Sequence, residues 1–119
     1  MVTGNILRGV ILGLGLAITA QPSVAAPLDD NGLKREIIGR TLSASMGFIS
    51  MRVLHRPDGT SVMRGTMGSD NGRWEIVSGQ ICVRWPNRSN GEQRCMSLEP
   101  LGNGKYRSSF RGIVLTAEQ

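Results

Sequence analysis

From residue 41 onward, apolar and polar side chains alternate in short runs with a period of two. Ile49, Met51 and Val53 alternate with Ser50 and Arg52, and Trp74 and Ile76 with Arg73 and Glu75. Ile81, Val83 and Trp85 alternate with Cys82 and Arg84. Successive side chains of an extended chain point to opposite sides, so each run presents one apolar and one polar face. The pattern predicts strands over 41–46, 48–56, 61–66, 72–77, 80–85, 94–98, 106–110 and 113–116. Between them stand turn residues: Gly47, Pro57-Asp58-Gly59, the stretch from Gly68 to Gly72, Ser78-Gly79, the polar stretch from Pro86 to Gly91, the stretch from Leu101 to Gly104, and Gly112. Glycine supplies positive φ in such turns, and proline presets the first turn residue. Ahead of the strands, Leu33 and Ile37 lie four apart and share one face of a short helix over 33–38. Asp30 or Asn31 is its expected cap and Gly39 its stop. The expected fold is mainly β: an antiparallel meander of about eight short strands forming a small up-and-down barrel or a strongly bent sheet, closed by one short N-terminal helix.

The first residues follow a different pattern. A start carrying only Arg8 is followed by an uncharged, Ile/Leu/Val/Gly/Ala-rich run from Gly9 to Ala20, a polar break at Gln21-Pro22, and the small residues Ser23-Val24-Ala25-Ala26. This is the order of a secretory signal peptide, with a core too short to span a bilayer. The expected organisation is a signal peptide over 1–25 and a single domain over 26–119, placed in the periplasm or secreted. Past the signal no stretch is long or apolar enough for a membrane span.

An oxidising compartment makes a disulfide between the two cysteines, Cys82 and Cys95, the expected state. If they face each other in one hairpin, Val83 faces Arg94, Ile81 faces Met96 and Arg84 faces Gln93. Cys82, Arg84, Gln93 and Cys95 then share one face, and the bond staples the hairpin from the side away from the main apolar surface. Without Arg8 the domain carries thirteen basic residues, eleven of them arginine, against nine acidic ones, a net charge of +4. Guanidinium groups bind carboxylates and phosphates in bidentate fashion, so the positive loop 86–91 singles out Arg84, Arg88 and Arg94 as candidate binding residues. Asn87-Arg88-Ser89 also fits the glycosylation triplet, a weak match.

Other chemistries find less support. His55 is the only histidine, and it stands beside Arg56 at a strand end, where exposure is expected. Ser50, Ser61 and Asp58 lie within reach in sequence for a Ser–His–Asp arrangement, but nothing marks an oxyanion hole or a cleft. Met46, Met51, Met63 and Met67 cluster around it in sequence, so His55 with Met51 and Met63 is the alternative metal set, suited to copper(I). Methionine also fills irregular core gaps, and no metal is expected. No glycine-rich phosphate loop follows a strand and opens a helix. Neither a cofactor nor nucleic-acid binding is expected.

The order of a short helix with an Ile pair, "RPDGT", "GRWEI", "GQICVRW", a second cysteine and "GKY" resembles a group of small exported alphaproteobacterial proteins. They share a Pro-Asp-Gly, Gly-x-Trp, Ile-Cys…Cys frame. The resemblance spans about Leu33 to Tyr106 and implies a secreted β domain, with no catalytic residue. The Ser78-Gly79 turn departs from the Asp-Gly or Gly-Asp commoner there. The expected function is a non-enzymatic exported binding domain for an envelope protein or an anionic or sugar-bearing polymer. The alternatives are an inhibitor of an envelope-acting hydrolase, lysozyme or protease, and a small-ligand carrier using the barrel interior.

Overall fold

The alternation holds in most of the strands of the computed structural model, which describes residues 25–118. The proposed signal segment therefore lies outside the described residues except for its last position. Nine antiparallel strands form a nearly closed, barrel-like sheet with one short helix. Helix α1 (Asp30–Glu36) precedes β1 (Thr41–Met46), β2 (Ile49–His55), β3 (Thr60–Gly65), β4 (Gly68–Val77) and β5 (Gln80–Arg84). After a loop containing a 3₁₀ turn (Ser89–Gly91) come β6 (Gln93–Met96), β7 (Leu98–Gly102), β8 (Lys105–Ser108) and β9 (Val114–Ala117).

The helix is capped by Asp29, not by Asp30 or Asn31: its carboxylate accepts the Gly32 N–H at 2.7 Å. Asp30 instead accepts the Gly79 N–H at 2.6 Å and ties the helix start to the β4–β5 turn. The helix also stops short of Ile38. The Leu33 carbonyl accepts from both Ile37 and Ile38, and Gly39, at φ +88°, turns its N–H to the His55 carbonyl.

The eight expected strands become nine because the sixth passage breaks. The chain from Gln93 to Gly102 pairs first with β5 and, after Ser97, with β8, so one descending run joins the two edges of the sheet. Ser97 holds the seam: its N–H donates to Ser109 Oγ at 2.9 Å and its carbonyl accepts the Ser109 N–H at 3.0 Å. The expected turn from Leu101 to Gly104 begins inside this strand; Pro100 is tolerated on an edge strand and beside a bulge, and the register shifts between Pro100 and Gly102. The stretch from Gly68 to Gly72 also belongs to a strand. It pairs with β3 from Gly65↔Gly68 to Ser61↔Gly72, leaving only Thr66 and Met67 as the turn.

Gly72 makes a close approach possible. A Cβ there would collide with the Arg84 carbonyl and stand 2.9 Å from Trp85 Cε3, so the Trp85 ring occupies the space a side chain would take. The interior is filled by Leu33 and Ile37 from α1, neither with exposed surface, against Leu42, Val53, Ile81, Val83, Leu98, Tyr106 and Leu115. Each such aliphatic residue contributes about 2 kcal/mol of burial, and the helix thereby closes one end of the barrel. Cys82 and Cys95 are bonded, at Cα–Cα 3.9 Å, in the expected register with Ile81↔Met96, Val83↔Arg94 and Arg84↔Gln93.

At the β4–β5 turn both central residues have positive φ, Ser78 at 49° and Gly79 at 78°. This combination makes a type I′ turn, which prefers Asn-Gly because the left-handed region crowds a Cβ. Ser78→Asn is expected to stabilise the domain by about 0.5 kcal/mol. A thermal midpoint at or below the parent's would count against it.

Candidate functional site

The polar face of the strands is also the outer face of the barrel, and it sets arginines opposite one another. In the β2–β3 ladder Arg52 is paired with Arg64, and in the β4–β5 ladder Arg73 is paired with Arg84. Side chains directly opposed on antiparallel strands have Cβ atoms about 5 Å apart, and like charges there are unfavourable. Arg52 is neutralised by Glu118, whose carboxylate accepts from Nε and Nη2, both at 2.8 Å; this pairing raises the Arg52 pKa further. The second pair lies in a groove of about 690 Å³ on the outer face, lined by Arg56, Thr60, Arg73, Trp74, Glu75, Arg84 and Gln93 among others.

Two carboxylates flank this groove, and both are hydrogen-bonded. Asp58 accepts the Thr60 hydroxyl at 2.6 Å and the Thr60 N–H at 3.0 Å, which with nearby Arg56 and Arg73 hold it below the usual carboxylate range. Glu75 accepts from Gln93 Nε2 at 2.8 Å. Trp74, on the other face of β4, is half-buried against the core, its indole N–H donated to the Arg56 carbonyl at 2.7 Å. Guanidinium groups and an amide around an open groove can bind carboxylate or phosphate oxygens.

The three arginines singled out by sequence do not come together. Arg84 and Arg94 are one position out of step across an unshifted ladder and take opposite faces. Arg84 lines the groove and donates Nη1 to the Gly91 carbonyl at 2.7 Å. Arg88 folds back instead of standing at a solvated loop tip: it is half-buried, and its Nη2 donates to the Met67 carbonyl at 3.2 Å. The loop that carries it is tied down at Asp70, which accepts the Asn87 N–H at 3.0 Å and Asn87 Nδ2 at 3.1 Å. Burial works against the Asp70 charge, but the N–H groups of Asn87 and Asn71, the Asn87 amide and the charge of Arg88 outweigh it and hold the pKa below the ordinary value.

His55 is not an exposed strand-end residue. Its place in β2 alternates with Arg52 and Leu54, so it points inward with Val53, and it is buried. Nδ1 lies 2.7 Å from the hydroxyl of Ser61, which has no exposed surface. Burial alone lowers the imidazole pKa to about 4, so the ring is neutral at pH 7. A substrate could reach this Ser–His pair only by opening the barrel, and Asp58 is bonded to Thr60 on the outer side. The methionines do not converge on His55. Met51 stands four residues away along the same strand, about 13 Å, while Met46 and Met67 lie exposed at hairpin tips. Met63 is buried opposite Val53 and Asp70. Among the described residues no group of three or more His, Cys, Asp or Glu side chains is placed to hold a metal ion, and no helix is long and apolar enough to cross a membrane.

No family model matches the chain, and no curated protein or solved structure is significantly similar to it. The site therefore rests on geometry. Arg56 and Arg73 carried no motif. Counting back from a two-residue turn at Ser78-Gly79 nevertheless pairs Val77 with Gln80 and hence Arg73 with Arg84, so the register was the signal that could have found them.

Proposed function

We propose that this chain is a non-enzymatic, exported binding domain whose outer sheet face takes an anionic, sugar-bearing polymer of the cell envelope. The observation that carries the reading is the direct opposition of Arg73 and Arg84 in an open groove on the outer face. An arrangement unfavourable by itself is relieved when an anion sits between the two guanidinium groups. The second pair favours a polymer over a small ligand. Arg64 lies on the neighbouring strand at a height four residues from the Arg73 row, about 14 Å away, a span a chain of repeating charges can bridge. Export is supported by the order of the first residues and by the disulfide, which persists in oxidising compartments.

The test is retention on immobilised polygalacturonate and heparin. Arg73→Gln together with Arg84→Gln is expected to weaken binding at least tenfold, consistent with about 1.5–3 kcal/mol for a charge-assisted contact, and to leave the fold and its melting temperature unchanged or slightly raised. Unchanged retention with an intact fold would remove the reading.

A protein partner, such as a hydrolase being inhibited, is the second reading. It is favoured by the three ties on the β5–β6 loop, Asp70 to Asn87, Arg84 to Gly91 and Arg88 to Met67, because a rigid loop loses little entropy on binding. Binding of that kind would be lost with Asn87→Ala and kept with Arg73→Gln alone, which touches none of these ties.

A further inference from the structure

The end of the barrel opposite α1 carries apolar side chains that the fold leaves in solvent. At the β1–β2 tip Met46 is 46% exposed, Phe48 98% and Ile49 37%, and at the β3–β4 tip Met67 is 67% exposed. Strand directions bring the β8–β9 connection to the same end, adding Phe110 at 47% and Val114 at 37%. The two tips touch, since Ser50 and Thr66 exchange hydrogen bonds through N–H, carbonyl and hydroxyl groups. Folding does not explain this surface, because a two-residue turn needs glycine or a polar residue, not phenylalanine or methionine.

Charge says what covers it. The segments that carry these side chains, residues 43–52, 64–69 and 107–114, contain Arg52, Arg64, Arg107 and Arg111 and not one Asp or Glu, and the β5–β6 loop tied to Met67 adds Arg88 and Glu92. Arg111 stacks over the Phe110 ring at 5.2 Å, a basic group and an apolar one presented together. The nearest described acids act elsewhere: Asp70 is buried against Asn87, and Glu118 is paired with Arg52. Projecting single side chains on narrow tips suit a deformable apolar medium better than a preformed protein groove, and a basic collar at the depth of the headgroups matches anionic lipid.

We propose that this end docks on an anionic lipid bilayer, with Phe48 and Met67 entering the interface and Arg64 and Arg111 meeting lipid phosphates. The domain would lie on the membrane without crossing it, and the outer-face groove would remain open to the compartment. The inference shares Arg64 with the polymer reading and does not otherwise depend on it.

The experiment is co-sedimentation of the exported full-length chain with vesicles of phosphatidylglycerol and phosphatidylcholine, and with phosphatidylcholine alone. Partitioning is expected on the anionic vesicles, weakened by salt, and reduced about twentyfold in Phe48→Ser/Met67→Ser. Arg64→Gln/Arg111→Gln is expected to lower it about tenfold on anionic vesicles. Val77→Ser, which removes an exposed apolar side chain from the opposite end, is expected to change nothing. Three results would overturn the proposal. One is equal sedimentation of the Phe48/Met67 variant and the parent, the outcome if the first residues were the anchor. Another is no preference for anionic vesicles. The third is light scattering showing a dimer that Phe48→Ser dissociates, which would assign the surface to a second copy of the chain.

Discussion

Between pH 6.5 and pH 4 the domain is expected to lose about 3 kcal/mol of stability through one side chain. His55 titrates near 6.5 when unfolded, but burial lowers its folded pKa to about 4. Above pH 6.5 both states are neutral and the group has no influence. As the pH falls through this window only the unfolded chain takes the proton, and each pH unit costs about 1.4 kcal/mol until the folded form is protonated too. The carboxylates held low, Asp58 and Asp70, act in a lower window: their contribution is present above their unfolded pKa and is lost as the pH falls further. Urea unfolding of the parent and of His55→Asn across pH 7 to 4 separates the two. The asparagine amide can still bond Ser61 but does not titrate, so the slope above pH 4 should vanish in the variant. If it persists there, another group is responsible.

Replacing both Cys82 and Cys95 with serine is expected to cost about 3 kcal/mol. The bond joins positions 13 apart and limits the unfolded chain by roughly that amount at this loop size. In the folded state its removal leaves β6 held by its ladder to β5, by the ties of the loop and by a few side-chain bonds such as Gln93 to Glu75. Amide exchange should therefore rise first in Gln93–Met96, while β1–β3 keep their protection. A double serine variant with parental urea midpoint would contradict this.

Much of the barrel was legible in the chain because one face of every strand had to be apolar. Ile81 and Val83 fixed the β5–β6 register together with the cysteines, and the structure repeats that register residue for residue. Polar or strand-breaking residues inside strands hid the rest. Asp70, Asn71 and Gly72 looked like a loop because the reasons for their places are tertiary: the carboxylate is used by Asn87, and the missing side chain makes room for Trp85. His55 looked exposed because it stands at a strand end beside Arg56, although its place in step with Val53 put it on the inner face, where Ser61 meets it. For the site, charge drew attention to the loop, whereas the groove depends on which arginines face each other across the ladders.

The staple between Cys82 and Cys95 has a bearing on how these molecules behave toward one another. A terminal hairpin is the segment that two copies of a β protein most easily exchange, each lending its edge to the other, and an unlatched edge can recruit further chains into fibrils. Here the outermost strand is closed into a covalent ring with its neighbour. While the ring is intact, β6 cannot be exchanged apart from β5. Closing the bond thus does more than add stability: it withdraws the β6 edge, taken alone, from exchange between molecules.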